Sequence, residues 1–154
     1  MALDAWVLVL VAAGLALSLA GCVEDEGPDV SLDQYQWKNR LLLVFARSPD
    51  EPGVTKQRRL NADRRGGFVD RNLLEGFLYE TAPGTLGGDA ASTDFSAEAR
   101  RRLNVEVGAL AVVLVGKDGG VKFRSERPVP PQQIFDLIDA MPMRQQEMRA
   151  KRTQ

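Results

Sequence analysis

Arg40-Leu41-Leu42-Leu43-Val44-Phe45-Ala46-Arg47 sets six consecutive apolar residues between two arginines, with no polar alternation. A strand of this kind is buried on both faces and belongs in the middle of a sheet covered by helices on either side. After it comes Ser48-Pro49-Asp50-Glu51-Pro52-Gly53, a turn-rich loop. Val54 to Asp63 is rich in Lys, Arg, Gln and Leu and reads as a polar surface helix, stopped by Gly66-Gly67. Leu73 to Glu80 predicts a second strand, weakened by Gly76, and the Gly, Ala, Ser and Thr of Thr81 to Asp94 predict a long loop.

Ser96 is a candidate N-cap for a short helix to Leu103, with Glu98 early and Arg100, Arg101 and Arg102 late, matching the helix dipole at both ends. Ala109 to Val115 is a second unbroken apolar run. It is followed by Gly116-Lys117-Asp118-Gly119-Gly120 and then by the alternating Val121-Lys122-Phe123-Arg124, which predicts a hairpin turning on Asp-Gly. Pro130-Pro131 open a last helix whose Ile134, Phe135, Leu137, Ile138 and Met141 fall at helical spacing, and Pro142 ends that stripe. The order strand, helix, strand, helix, strand, strand, helix is that of an α/β, thioredoxin-like three-layer sandwich.

Composition narrows the chemistry. The 154 residues carry a net charge of -1, no histidine and one cysteine, Cys22. Ser/His/Asp and Cys/His catalysis, imidazole metal sites, an intramolecular disulfide and a CxxC pair are all excluded within one chain. Ahead of the domain, Ala5 to Gly21 is uncharged and apolar and ends in Leu19-Ala20-Gly21-Cys22, which resembles a bacterial lipobox, although Met1-Ala2-Leu3-Asp4 lacks the usual base. The resemblance implies cleavage after residue 21 and acylation of Cys22, which tethers the chain to the membrane at the periplasmic or extracytoplasmic face of the cell envelope. Glu24, Asp25, Glu26, Asp29 and Asp33, with Gly27 and Pro28, then read as an extended acidic spacer. The organisation expected is a signal peptide over 1–21, a spacer over 22–31, the domain over 32–148 and a basic tail over 149–154.

Three stretches carry a family resemblance: Trp37-Lys38-Asn39-Arg40-Leu41-Leu42-Leu43-Val44-Phe45, Gly116-Lys117-Asp118-Gly119-Gly120-Val121-Lys122-Phe123-Arg124, and Asp139-Ala140-Met141-Pro142-Met143-Arg144-Gln145-Gln146-Glu147-Met148. Together they resemble the bacterial DUDES-type domain of unknown function, which is similar to thioredoxins and peroxiredoxins and to domains of vertebrate Equarin-type secreted proteins. That resemblance implies the fold and no particular activity. Where a thioredoxin carries its thiols, this chain has Arg47-Ser48-Pro49-Asp50-Glu51-Pro52-Gly53-Val54. Three residues beyond Thr55, where a peroxiredoxin carries its cysteine, stands Arg58. No proline precedes the hairpin strand in Val105-Glu106-Val107-Gly108-Ala109. Thiol chemistry is therefore not expected of the domain.

Gly116 to Gly120 joins two strands and so is not a phosphate loop. Asp136 and Asp139 are expected on the solvated face of the last helix. Met141, Met143 and Met148 could offer thioethers to Cu(I), against a plainer role in packing. Lys38, Arg40, Arg71, Lys117, Asp118 and Lys122 form a candidate functional surface at the sheet edge. The basic groups Lys56, Arg58, Arg59, Arg64, Arg65, Arg100 to Arg102, Arg144, Arg149, Lys151 and Arg152 suit an anionic glycan or headgroup. The expectation is a non-catalytic binding or scaffold module without a cofactor, whose partner is an envelope protein or an anionic glycan and not nucleic acid. The alternative is a non-thiol enzyme or Cu(I) handler.

Overall fold

The computed structural model describes residues 31–153. The leader, Cys22 and nearly all of the acidic spacer lie outside the described residues. After a single 3-10 turn, Leu32–Tyr35, the elements run β1 (Arg40–Ala46), α1 (Pro52–Ala62), α2 (Arg65–Asp70), β2 (Leu73–Tyr79), β3 (Gly84–Leu86), β4 (Asp89–Ala91), α3 (Thr93–Arg102), β5 (Ala111–Val115), β6 (Val121–Ser125), α4 (Pro131–Asp139) and α5 (Pro142–Arg152).

One sheet of six strands holds the order β4-β3-β2-β1-β5-β6. β1 pairs parallel with β2, Leu43 opposite Gly76, and antiparallel with β5, Leu43 opposite Val113. The apolar run is thus the central strand, and its side chains divide by the period of two. Leu42, Val44 and Ala46 join Val112 and Leu114 in a core closed by Val54, Phe68, Ile134, Phe135 and Ile138, from α1, α2 and α4. Leu41, Leu43 and Phe45 join Val113 and Val115 in a second core closed by Phe95, Ala99 and Leu103, from α3 and the residue after it. Helices cover both faces, giving three layers.

The hairpin turn forms on Asp118-Gly119 as the sequence predicts. Gly119 has φ +80°, and Gly120 N–H donates to the Asp118 carboxylate at 3.1 Å.

Four local expectations are corrected. Thr81 to Asp94 is no open loop, because it folds into β3 and β4 around Gly87 and Gly88, and β3 pairs with β2. Strands of three residues are too short to show a period. α3 starts before Ser96: Ser92 caps it by accepting from Phe95 N–H, while buried Ser96 donates its hydroxyl back to Ser92 O at 3.0 Å. Gly66 and Gly67 do not stop α1, which ends at Ala62, but lie within α2, where a Cβ on Gly67 would come 2.5 Å from the Phe135 ring. Pro142 does end the apolar stripe of α4, yet it also opens α5, and Arg149, Lys151 and Arg152 of the basic tail are α5's last turn.

Gly84 offers a test of the β2–β3 pairing. A Cβ there would stand 2.0 Å from the Phe77 carbonyl oxygen, a backbone atom that cannot move aside alone. Gly84→Ala is expected to cost about 2–3 kcal/mol by forced displacement, read as a lower urea midpoint. An unchanged midpoint would show that β3 is not seated against β2.

Candidate functional site

The structure brings three of the six nominated residues together and separates the others. Arg40 is not on the surface, since it is 1% exposed, and this corrects the sequence reading. Its guanidinium donates to both carboxylate oxygens of Glu147, at 3.2 Å each, and to Arg71 O at 2.8 Å. Lys117 Nζ donates to the same Glu147 at 2.8 Å. Arg71 pairs with Asp139 while lying 4.4 Å over the Phe135 ring. Arg144, also buried, reaches Asp139 at 3.1 Å, Asp70 O at 2.8 Å and the Asp70 carboxylate.

These bonds clamp α5 and the end of α4 onto the N-terminal end of β1 and the turn after α2. Every cation in the network has an anionic partner, so the cluster reads as a structural clasp and not as an open site. Burial pushes the Glu147 carboxyl up, but its bonds and proximity to Lys117 and Arg40 more than offset this and hold it below its ordinary 4.5. Asp70 is likewise held low, chiefly by its bond to Lys151 and also by Arg144, against some desolvation.

Asp118 and Lys122 pair with each other at 2.6 Å on the exposed hairpin, and Lys38 is exposed and makes none of these bonds. Asp139 is half-buried in the clasp, a second correction. Asp136 is exposed as expected and accepts from Gln132 at 2.8 Å.

The β1–α1 junction is closed by a carboxylate. Glu51 Oε1 accepts Arg47 N–H at 2.6 Å and Ser48 N–H at 3.3 Å, and Pro52 begins the helix. Behind this junction, buried Arg100 donates to Ala46 O at 2.9 Å and Glu106 O at 2.7 Å. The junction carries no thiol, and its carboxylate is bonded to main-chain amides.

A family model described as Domain of unknown function (DUF4174) matches residues 31–147. The chain belongs to that family. Among curated proteins, the DUF4174 chain is 30% identical over 123 residues to the Sushi repeat-containing protein SRPX of Homo sapiens, a match covering 76% of this chain and 26% of that protein. It is 28% identical over 133 residues to the Coiled-coil domain-containing protein 80 of Danio rerio, covering 76% and 15%. The chain thus spans about a quarter or less of the length of these relatives.

Among solved structures, the Plasmodium yoelii thioredoxin peroxidase I aligns with TM-score 0.55 and 20% identity, over 76% of this chain and 80% of that one. The reduced 2-Cys peroxiredoxin of Plasmodium vivax aligns with TM-score 0.55 and 18% identity, over 76% and 85%. At such identity the likeness shows the fold alone, a thioredoxin/peroxiredoxin-like one.

In the DUF4174 domain the three methionines do not form a cluster on one face. Met141 is the N-cap of α5 and packs against the first core. Met143 and Met148 lie on α5 five residues apart, which separates them by roughly 140° around the helix. Sequence reasoning missed the acids of the clasp, Asp70 and Glu147. The only signal was Glu147 at i+3 from Arg144, which makes sense once α5 is known to be a helix.

Proposed function

We propose that this DUF4174 domain is a non-catalytic binding module, held at the bacterial cell envelope by lipid on Cys22, with an envelope protein or an anionic glycan as its partner. The observation that carries the reading is the β1–α1 junction. A thioredoxin-like scaffold does its chemistry there, and here Glu51 fills the place with a carboxylate bonded to main-chain amides. The sequence supports the tether, since Leu19-Ala20-Gly21-Cys22 offers small residues before the chain's only thiol. Once acylated, Cys22 leaves no free thiol. Among the described residues no helix is long and apolar enough to cross a membrane, which is compatible with anchoring from outside residues 31–153.

The test is a crosslinking pull-down from intact membranes with wild type and Cys22→Ser, reading the intact mass of the bait in the same sample. Wild type is expected to have lost residues 1–21 and gained acyl mass, and Cys22→Ser to keep its leader and lack acyl mass. A stoichiometric partner supports the module. An unmodified Cys22 overturns the tether, and turnover of a small molecule without a partner overturns the non-catalytic reading.

A further inference from the structure

A cleft of about 360 Å³ lies between α1 and the start of α4. Lys56, Arg59 and Arg64 line one side, Pro130 and Pro131 the other, and Leu60 adds apolar surface. Lys56, Arg59, Leu60 and Asp63 follow the i, i+3, i+4, i+7 pattern, so they share one face of α1 and its C-terminal turn. Asp63 is the single acid of the lining, against three cations.

At the ends of the sheet Arg40, Arg71, Arg100 and Arg144 are each tied up in an ion pair. Among the described residues Lys56, Arg59 and Arg64 make no ion pair and donate no side-chain hydrogen bond. The nine-residue α4 adds to this charge. Its N-cap is Pro130, without a side-chain cap bond, its first turn holds no acid, and its positive end opens at Pro130-Pro131.

The walls are fixed to each other from behind. Gln57, fully buried on α1, donates to Val129 O at 2.9 Å and accepts Val129 N–H at 2.7 Å, so its amide pairs with the main chain just before α4. Gln57 also donates to Asn61 at 2.9 Å, and Asn61 donates to Glu75 at 3.0 Å. A buried polar chain with its partners made is rigid. It holds the prolines opposite the cations before any ligand arrives, which lowers the cost of binding.

We propose that this cleft binds one anionic sugar unit of an envelope glycan, a ring carrying phosphate or a comparable multi-oxygen anion. The proposal rests on the binding-module reading and names its site and ligand class. The cations and the end of α4 take the anionic groups. Leu60, Pro130 and Pro131 offer apolar surface to the ring's C–H face, and the Gln132 amide, whose nitrogen already donates to Asp136 at 2.8 Å, keeps its oxygen to accept from a hydroxyl. The lining has no aromatic ring on which a nucleobase could stack. The volume lies at the small-ligand end of the range for binding pockets, roughly 300–1,000 Å³.

The experiment titrates the full chain, in non-ionic detergent, with glucose 1,6-bisphosphate, glucose and inorganic phosphate, and analyses the recovered ligand. The bisphosphate is expected to bind more tightly than either control, and less tightly as salt rises. Arg59→Ala and Arg64→Ala are each expected to weaken it about tenfold or more. All these side chains are exposed, so folding is not at stake. The paired variant Arg149→Ala/Arg152→Ala removes two cations from α5 and is expected to change nothing.

Equal weakening by the α5 pair would reduce the effect to general charge attraction and overturn the cleft, as would absence of binding by wild type. Inorganic phosphate binding as tightly as the bisphosphate would overturn the sugar assignment. A crosslinked protein partner retained by Arg59→Ala/Arg64→Ala, with no sugar bound by wild type, would remove the cleft and leave the module. Release of phosphate from a bound ligand would remove the non-catalytic reading and leave the cleft.

Discussion

Glu147→Ala is expected to destabilise the domain by about 3 kcal/mol, the scale for breaking a buried ion pair from one side. Arg40 keeps its charge in a place where it is 1% exposed and retains only Arg71 O as an acceptor. Its Nε already has no partner. Lys117 loses its anion as well, but an ammonium on a flexible stem can turn to water more cheaply than Arg40 can. For a domain of this size the fall in Tm should be about 10 °C, and amide exchange in α5 should accelerate more than in β1 or β5.

The pH dependence has a defined sign. The folded Glu147 carboxyl lies below its ordinary 4.5, so its stabilising contribution is present above that pH and is lost as pH falls through the lower folded value. Glu147→Ala should therefore show a shallower acid limb than wild type, as well as lower stability at neutral pH. The double variant Arg40→Met/Glu147→Leu should recover much of the loss, because an apolar pair of similar volume avoids the desolvation of both charges. A single-variant effect below about 1 kcal/mol would show that α5 is held by something other than this pair.

The clasp also explains what the sequence could and could not disclose. β1 and β5 were legible because a strand buried on both faces must be continuously apolar, and the hairpin because Asp118-Gly119 has a steric reason to turn. α5 had no such signature. Its one buried residue is Arg144, so it is secured by ions whose partners lie on other elements. Arg40 and Glu147 are 107 residues apart, and no local pattern distinguishes a buried, paired arginine from a solvated one.

The same limit applies to the candidate site. Lys56, Arg59 and Arg64 stood out as a basic stretch, and Pro130-Pro131 as a helix start. That they face each other follows from the Gln57–Val129 pairing, a contact across 72 residues made by a glutamine that in sequence looks no different from one in water. The run Arg100-Arg101-Arg102 makes the point at single-residue resolution. On one helix, successive residues turn by about 100°, so the first is buried while the next two are exposed.

Arg100→Ala is expected to have the largest effect of any charge removal, about 4 kcal/mol, because it strips a buried fork from several acceptors at once. The guanidinium bonds Ala46 O at the end of β1 and both Glu106 O and Ala109 O in the segment before β5. It pairs with Glu80 at 3.1 Å just after β2, while Glu80 also accepts Gly108 N–H at 2.6 Å. It stands 5.3 Å over the Phe45 ring in the second core. Burial disfavours the charge, and Glu80, with Glu51 further off, partly restores it.

One side chain thus joins the ends of two parallel strands to the connection that leads into a third. Arg100→Lys keeps the charge but offers a point donor in place of a planar fork, so it should rescue less than half of the loss. The readout is a urea transition for each variant, with bisphosphate affinity measured on the folded protein. Because Arg100 sits on α3, on the opposite face of the sheet from α1 and α4, stability should fall while affinity for the cleft ligand stays within about twofold of wild type. A parallel fall in both would mean that the end of the sheet held by Arg100 and the cleft are one mechanical unit.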